Sequence, residues 1–297
     1  MEPGIHLVHK PAGPTSADVL RDVLAQHPGG RARACHGGTL DPFASGLLLV
    51  LTGGATRLFD LLHAAPKRYF AEVRWGVETH SGDPYGMEVA RGDRSGLSPE
   101  ALDGALTNFL GWTDQVPPTT SAKKIDGEPA YKKVHRGEAV SLPPSRVYLH
   151  SARWESHDLP EVSFLSITCR GGFYVRSLAR DLGRALGARA HLGNLRRSDI
   201  GPWQDPGAGP EPWPLVRGAA TLPWATSRKL TDQEVGELRK DRPIPLGAEE
   251  PPRWRPSSDF PLDPPPPVMG MHLGKAIYLL HRNGDLLEGR TLLPGGI

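Results

Sequence analysis

The pattern of strand-like and helix-like segments in this 297-residue chain is compatible with an α+β fold. Residues 67–77 alternate between apolar and polar side chains, and Tyr69 lies on the apolar side, as expected for a strand buried on one face. Residues 47–51 are all apolar and follow Gly46, which predicts a short strand buried on both faces. Periodicity alone does not distinguish such a short apolar run from a buried helix.

Helices are predicted between these strands from their end signals. After a strand and turn over residues 5–16, Ser16 can cap a helix that ends at the Pro-Gly-Gly sequence within residues 27–30. Residues 98–111 begin with Ser-Pro-Glu and end with Gly, which predicts a second helix. A strand over residues 163–169 leads through two glycines into a third helix that ends at Gly187.

The last third of the chain differs in composition. Sixteen of the 31 prolines lie in residues 201–267, which predicts an extended linker rather than packed core. Residues 268–293 predict two or three strands joined at an Asn-Gly hairpin turn. We therefore expect a large domain over residues 1–200, a Pro-rich segment over 201–267 and a small β-rich domain over 268–297.

Composition favours a globular protein of the cytoplasm. Hydrophobic residues make up 38% of the chain, and the formal net charge is only +2. The two cysteines have neither disulfide nor metal-ligand spacing, and no signal peptide or membrane-spanning run is present, so disulfide-rich and membrane classes are excluded. Seven arginines and one aspartate lie in residues 170–197, a pattern that attracts phosphate but is also typical of a solvated helix face.

The stretch around Asp41 is the strongest candidate for chemistry. Pro42 biases Asp41 away from the α region, so this carboxylate is expected on a loop that leads directly into the buried strand. Reactive side chains are commonly held on loops by a rigid scaffold. A Thr-x-Asp-Pro sequence is also common turn chemistry, so a purely structural role is an alternative.

The string from His36 to residue 48, HGGTLDPFASGLL, resembles the catalytic motif of the TruB-type tRNA pseudouridine synthases, which modify uridine 55 in the T loop. The resemblance implies that Asp41 is the catalytic carboxylate. Residues 67–69, Lys-Arg-Tyr, resemble the family segment whose tyrosine packs against the target base, although periodicity alone favours a core role for Tyr69. The family's Gly-x-Tyr-(Ile/Val)-Arg motif supplies an arginine partner for the catalytic aspartate, and Arg176 occupies that position.

The same resemblance implies a set of substrate-binding residues. They include His36, expected in the space that the base vacates, and Leu195, expected to line the pocket; the others are Tyr174, Lys10, Lys123 and Lys124. Lysines on a loop often only solubilise, and a histidine before two glycines is often a turn residue. Residues 78–86 match their family segment only loosely, so Asp83 receives no chemical role.

The family fold implied is α+β, with a mixed, mainly antiparallel sheet, flanking helices and a cleft across the sheet. The C-terminal domain resembles the small PUA-like RNA-binding domain of many members. The expected partner is the T stem-loop of tRNA, bound by a monomer. Uridine and pseudouridine are isomers, so no metal or other cofactor is formally required.

Two other functions remain open at the level of sequence. One is a noncatalytic RNA-binding or tRNA-folding module, in which Asp41 is only a turn residue. The other is a two-carboxylate glycoside hydrolase, which would need a second essential acid and would release free uracil. The route taken by Asp41, as nucleophile or as base, is likewise open.

Overall fold

The computed structural model describes residues 1–26, 33–121, 123–125, 128–130, 133, 136, 138, 140–209 and 213–297. The α-helices in these ranges are α1 (Ser16–Ala25), α2 (Phe59–His63), α3 (Pro99–Thr107), α4 (Val175–Ala185) and α5 (Asp232–Leu238). Two 3₁₀ helices cover Gly53–Leu58 and Gly218–Thr221. Within the described ranges, no helix combines the length and the apolar character needed to cross a membrane.

The strands of the described residues, in chain order, are β1 (Gly4–Lys10), β2 (Ala34–His36), β3 (Ser45–Thr52), β4 (Lys67–Trp75), β5 (Val77–Thr79), β6 (Glu88–Arg91), β7 (Gly111–Gln115), β8 (Lys124–Ile125), β9 (Glu128–Pro129), β10 (Ser145–Asp158), β11 (Val162–Cys169), β12 (Ala190–Ile200), β13 (Trp203–Gln204), β14 (Leu215–Val216), β15 (Ser227–Lys229), β16 (Ile244–Pro245), β17 (Val268–His272), β18 (Lys275–Asn283) and β19 (Leu286–Leu292). Their described pairings are mainly antiparallel, with β15 and β17 parallel. The predicted α+β class is confirmed.

The chain divides into two compact units. Unit 1 comprises residues 1–40, 46–65 and 199–297, and unit 2 comprises residues 41–45 and 66–198. The sequence analysis did not predict this division, because unit 1 consists of segments that are far apart in the sequence. The sequence-based boundaries at 200 and 267 stay a prediction.

Unit 1 is organised around β3, which pairs with β1 and β2. Leu47, Leu49 and Leu51 point into one apolar cluster, and Leu48 and Val50 into another, so this strand is buried on both faces as predicted. The alternative of a buried helix is wrong, because the residues extend in register with β1 from Gly46 to Thr52.

The Pro-rich part of unit 1 contains more packed structure than its composition indicated. Among its described residues are α5, β13, β14, β15 and β16. Leu222 and Trp224 are buried in the same apolar cluster as β3, because their partners come from distant parts of the chain. Strands β15, β17, β18, β19 and β16 form a five-stranded sheet, with the predicted turn at Gly284 between β18 and β19.

Unit 2 contains a sheet with the order β12, β4, β11, β10, β7. Strands β4 and β11 pair antiparallel from Lys67 opposite Cys169 to Arg74 opposite Val162. Their alternation directs Tyr69, Ala71, Val73 and Trp75 to the buried face, as the sequence predicts. Helix α4 contacts β4 and α3, and the same side of the sheet therefore carries α4 and the buried Tyr69.

Two predicted helix ends were wrong by a few residues. The N-cap of α1 is Thr15, whose hydroxyl accepts a hydrogen bond from the Asp18 amide while the Asp18 carboxylate accepts one from the Thr15 amide. The predicted end at residues 27–30 lies outside the described residues. Helix α3 ends at Thr107, and Gly111 begins β7 with a φ of +81°, a conformation that also suits glycine.

Candidate functional site

Asp41 lies in a tight turn at the start of the short unit 2 segment 41–45. The Asp41 carbonyl oxygen accepts a hydrogen bond of 3.1 Å from the Ala44 amide, with Pro42 inside the turn, where its fixed φ is favourable. Phe43 is buried and holds the turn in place. The Asp41 side chain is 28% exposed, so the carboxylate is fixed by its surroundings and still accessible.

Arg176 lies in the first turn of α4 and is almost completely buried. The chain turns into this helix at Gly172, which has a φ of +89°. The helix start is held by the Gln115 side chain, which accepts a hydrogen bond from the Tyr174 amide at 2.9 Å and donates one to the Tyr174 carbonyl at 3.1 Å. The guanidinium of Arg176 is therefore presented from a rigid helix end.

The guanidinium of Arg176 joins two carboxylates. Its Nη2 donates to Asp41 Oδ1 at 2.7 Å. Its Nη1 donates to Thr120 Oγ1 at 2.8 Å and to the Ser81 carbonyl oxygen at 2.9 Å, and lies 3.4 Å from Asp83 Oδ2. The sequence predicted Arg176 as the partner of Asp41, and the structure brings them together. The two terminal nitrogens of the guanidinium, however, have different partners: Nη2 binds Asp41, and Nη1 binds the segment around Asp83.

Asp83 was missed by the sequence analysis. Its Oδ1 accepts hydrogen bonds from the Ser81 hydroxyl at 2.7 Å and the Tyr85 amide at 3.0 Å, and its Oδ2 faces Arg176. Gly82 allows this close approach, since a Cβ there would lie 3.2 Å from the Arg176 Cβ and its φ is +72°. Asp83 matches the family segment that residues 78–86 resemble, and this was the available signal. His80 and Ser81 differ from that segment, so Asp83 received no role.

Tyr69 lies on the buried face of β4. Burial raises the pKa of its phenol above the ordinary value, while the guanidinium of Arg197, which hydrogen-bonds the side chain, opposes that rise. The negative charge of Asp41 adds to the increase in the Tyr69 pKa. The phenol is thus electrostatically coupled to the candidate catalytic carboxylate.

Two further ionisable side chains beside Tyr69 were also missed. Burial, together with the charge of Arg197, lowers the pKa of Lys67 from 10.5 to about 7. Across the strand pair, burial raises the pKa of Cys169 to about 12, so this thiol stays protonated at neutral pH. The family-like segment 67–69 pointed to Tyr69 and gave no indication that Lys67 is buried, because lysine is ordinarily exposed.

The remaining predicted residues of unit 2 occupy different environments. Leu195 is buried in β12, and Tyr174 is half-buried as the N-cap residue of α4. The ammonium group of Lys123 donates a hydrogen bond to the Ser145 hydroxyl. Lys124 lies in β8, and its side chain is outside the described part of the structure.

Two predicted substrate-binding residues belong to unit 1. His36 is half-buried at the end of β2. Lys10 is fully buried at the end of β1, where its Nζ donates to the Pro11 carbonyl oxygen at 2.9 Å. A buried amine bound to backbone fits a structural role for Lys10 at least as well as contact with a phosphate.

Within unit 2, the arrangement provides a partly exposed carboxylate, a buried guanidinium that orients it, and a buried aromatic ring coupled to it. Such a carboxylate can act as a nucleophile at an electrophilic carbon or as a base. An aromatic ring nearby can stack on a planar base.

The sequence of the chain also matches a known protein family. The N-terminal domain model of the TruB family of pseudouridylate synthases matches residues 26–175. The tRNA pseudouridine synthase B of Xanthomonas campestris pv. campestris strain B100 is 41% identical over 206 residues, 68% of this chain and 65% of that protein. The protein of that name from Bordetella pertussis strain Tohama I is 39% identical over 202 residues, 67% of this chain and 82% of that protein.

Solved structures show the same fold. A Cbf5-Nop10-Gar1 complex contains a chain with a TM-score of 0.67 and 20% identity, and the likeness covers 98% of this chain and 84% of that one. A chain of an H/ACA RNP bound to a substrate RNA containing 2′-deoxyuridine has a TM-score of 0.66 and 17% identity, with the same coverage. The matched part of the chain spans slightly less than two thirds of the Xanthomonas relative. From the family match and these identities, the chain belongs to the TruB family of pseudouridylate synthases.

Proposed function

We propose that this protein converts uridine 55 in the T loop of tRNA to pseudouridine. The observation that carries the proposal is the ion pair of 2.7 Å between Asp41, in the family's catalytic motif, and the buried Arg176. The names of the relatives support tRNA as the substrate. Position 55 rests on the resemblance of the Asp41 loop to the TruB-type motif.

The reaction breaks the bond between N1 and C1′ of uridine, turns the uracil, and forms a bond between C5 and C1′. The proton on C5 leaves and N1 gains one, so the atoms balance without a redox cofactor. Asp41 begins the reaction, either by attack on C1′ or by removing a proton from the ribose. Arg176 holds its carboxylate in one orientation through Nη2, and Nη1 also fixes the Asp83 turn.

Tyr69 supports the step in which the base leaves its stack. Extruding a base from a folded RNA costs a few kcal/mol, and stacking on an aromatic ring offsets about 1–3 kcal/mol of that. We assign Tyr69 this contact and Leu195 the opposite wall of the pocket. We also assign Tyr174, the N-cap residue of α4, a contact with the substrate.

The remaining assignments concern the rest of the RNA. We propose that His36 enters the space vacated by the base and that Lys123 and Lys124 approach phosphates, with Lys10 shaping the loop that follows it. The β-rich residues 268–297 extend the RNA contact, and the protein acts as a monomer. Phosphate contacts of this type fix position and make binding salt-dependent.

The test uses unmodified tRNA and an Asp41→Asn variant, with pseudouridine located by carbodiimide labelling. Wild-type protein is expected to convert position 55, and Asp41→Asn to show no product while its tRNA affinity stays within about threefold. Asp103→Asn, an exposed carboxylate of α3, is the matched control and should retain activity. Product formed by Asp41→Asn, or free uracil released by the wild type, would overturn the proposal.

A further inference from the structure

The side chain of Tyr69 is surrounded by a cluster of buried ionisable groups in unit 2. Lys67 and Tyr69 lie two residues apart on β4 and therefore share its buried face. Cys169 of β11 is directly opposite Lys67, and Ile167 is opposite Tyr69. Arg197 of the neighbouring strand β12 is 1% exposed and is among the largest fully buried side chains of the described residues.

Arg197 is unusual because a guanidinium is costly to bury. Removing a charged group from water is unfavourable unless its hydrogen bonds are made in good geometry. Tyr69 lies on the buried face of the adjacent strand β4, and hydrogen bonding from the Arg197 guanidinium opposes the rise that burial causes in the pKa of the phenol. Lys67 is the second basic group of the cluster, and burial together with repulsion from Arg197 lowers its pKa to about 7.

We infer that Arg197 is the positioning residue of Tyr69, holding the phenol oxygen in one orientation so that the ring presents a fixed face to the substrate base. This inference rests on the proposed function, because it assigns Tyr69 a contact with the target uracil. The guanidinium does so as a planar donor with fixed geometry, which a flexible ammonium does not reproduce. Arg197 itself does not touch the reacting atoms.

The first test reads the phenol directly, without substrate. The protein is labelled with tyrosine carrying ¹³C at Cζ, and the Tyr69 resonance is assigned with Tyr69→Phe. Arg197→Met is expected to shift this resonance and to move its titration to higher pH, because the positive charge that favours the phenolate is lost. Arg196→Met, at the adjacent exposed position of β12, is the matched control and should leave the Tyr69 resonance unchanged.

The second test is a double-mutant cycle on the single-turnover rate at saturating enzyme. Arg197→Met is expected to lower this rate about 10- to 100-fold while the Kd for tRNA changes less than about threefold. In the Tyr69→Phe background the same substitution should have little further effect, since the hydroxyl that it positions is already absent. Arg197→Lys should recover only part of the rate.

Circular dichroism and thermal unfolding check that each variant is folded, and Arg197→Lys carries the NMR and rate comparisons if Arg197→Met does not fold. An unshifted Tyr69 resonance in a folded Arg197 variant, or an Arg197 effect of equal size in the wild-type and Tyr69→Phe backgrounds, would overturn the inference. If the wild type makes no pseudouridine, the proposed function fails, whereas the NMR comparison still decides whether Arg197 positions the phenol.

Discussion

Both compact units bury apolar side chains, but they differ in the charged groups that they bury. Unit 1 encloses β3 in two apolar clusters, to which Leu222 and Trp224 contribute. Unit 2 buries Lys67, Arg176 and Arg197, with Asp41 only partly exposed. Unit 1 also buries Lys10, which donates to a backbone carbonyl oxygen at 2.9 Å, and Arg228, which donates to one at 2.8 Å and pairs with Glu234.

The difference in buried charge distinguishes residues that stabilise the fold from residues that take part in chemistry. Apolar burial stabilises a fold by roughly 25 cal/mol for each Å² removed from water. Buried ion pairs rarely stabilise more than well-packed apolar residues would, so their concentration around one accessible carboxylate points to a chemical role. Substitutions in the two units should therefore separate loss of activity from loss of folding.

The largest effect is expected for Arg176→Ala. Removing one member of a buried ion pair leaves the other uncompensated, at about 3–5 kcal/mol of unfolding free energy. We also expect at least about a 1,000-fold loss of single-turnover rate, because Asp41 loses its orientation. Arg176→Lys should recover little of that rate. Urea unfolding and rate measurements check both effects, with Arg146→Ala, an exposed arginine of β10, as the matched control.

Leu49→Ala should produce the opposite pattern. Leu49 is fully buried in unit 1, and a leucine-to-alanine change of this kind costs about 2–5 kcal/mol. Under conditions where the variant is fully folded, its single-turnover rate should equal that of the wild type. A rate reduced as much as in Arg176→Ala would show that the separation between the units does not hold.

Asp83→Asn should have a smaller effect. It removes the charge of one of the two carboxylates that Arg176 contacts but keeps the shape of the turn. We expect a loss of about 1–2 kcal/mol in stability and roughly 10-fold in rate, consistent with a hydrogen bond to a charged group. Equal rates for Asp83→Asn and Asp103→Asn would mean that the second carboxylate has no part in orienting Arg176.

The last prediction concerns Lys67, for which we expect a change in the pH dependence of stability. Its pKa is about 7 in the folded protein and 10.5 in the reference state, so between these values the unfolded chain binds one more proton. Stability should therefore rise as pH increases from about 7 towards 10, and the full penalty should be present below pH 7. Lys67→Met should lose this contribution and gain several degrees in Tm at neutral pH. Arg68→Met, at an exposed neighbouring position, should keep the wild-type pH dependence.

The sequence predicted the parts of the site that are contiguous or motif-like. Asp41 and Arg176 each lie in a short contiguous motif that resembles the family pattern, and that resemblance predicted their pairing. Arg197 and Lys67 were not identified, because their burial depends on the packing of β4, β11 and β12 rather than on nearby residues.

The Pro-rich segment shows the same limit for the fold. Its composition is typical of a linker, and the local pattern around Trp224 contains no signal for a core position. The side chain is buried because partners from other parts of the chain cover it, among them Trp203 and Trp254, 21 and 30 residues away, and the cluster around β3. Hydrophobic periodicity along the sequence cannot predict contacts between residues that are this far apart.

The order of unit 1 along the chain has a consequence for biosynthesis. Its core joins Leu47 and Leu49 to Leu222, Leu279 and Leu293. Residues 66–198 therefore leave the ribosome, and can fold as unit 2, before the C-terminal part of the cluster around β3 exists. During that interval one face of β3 lacks the apolar side chains that the C-terminal residues later supply, and exposed apolar surface of this kind leads nascent chains to aggregate or recruit chaperones. Slow translation of the proline-rich residues 201–267 would prolong this interval, so the yield of soluble protein should depend on synthesis rate more than on the stability of the finished fold.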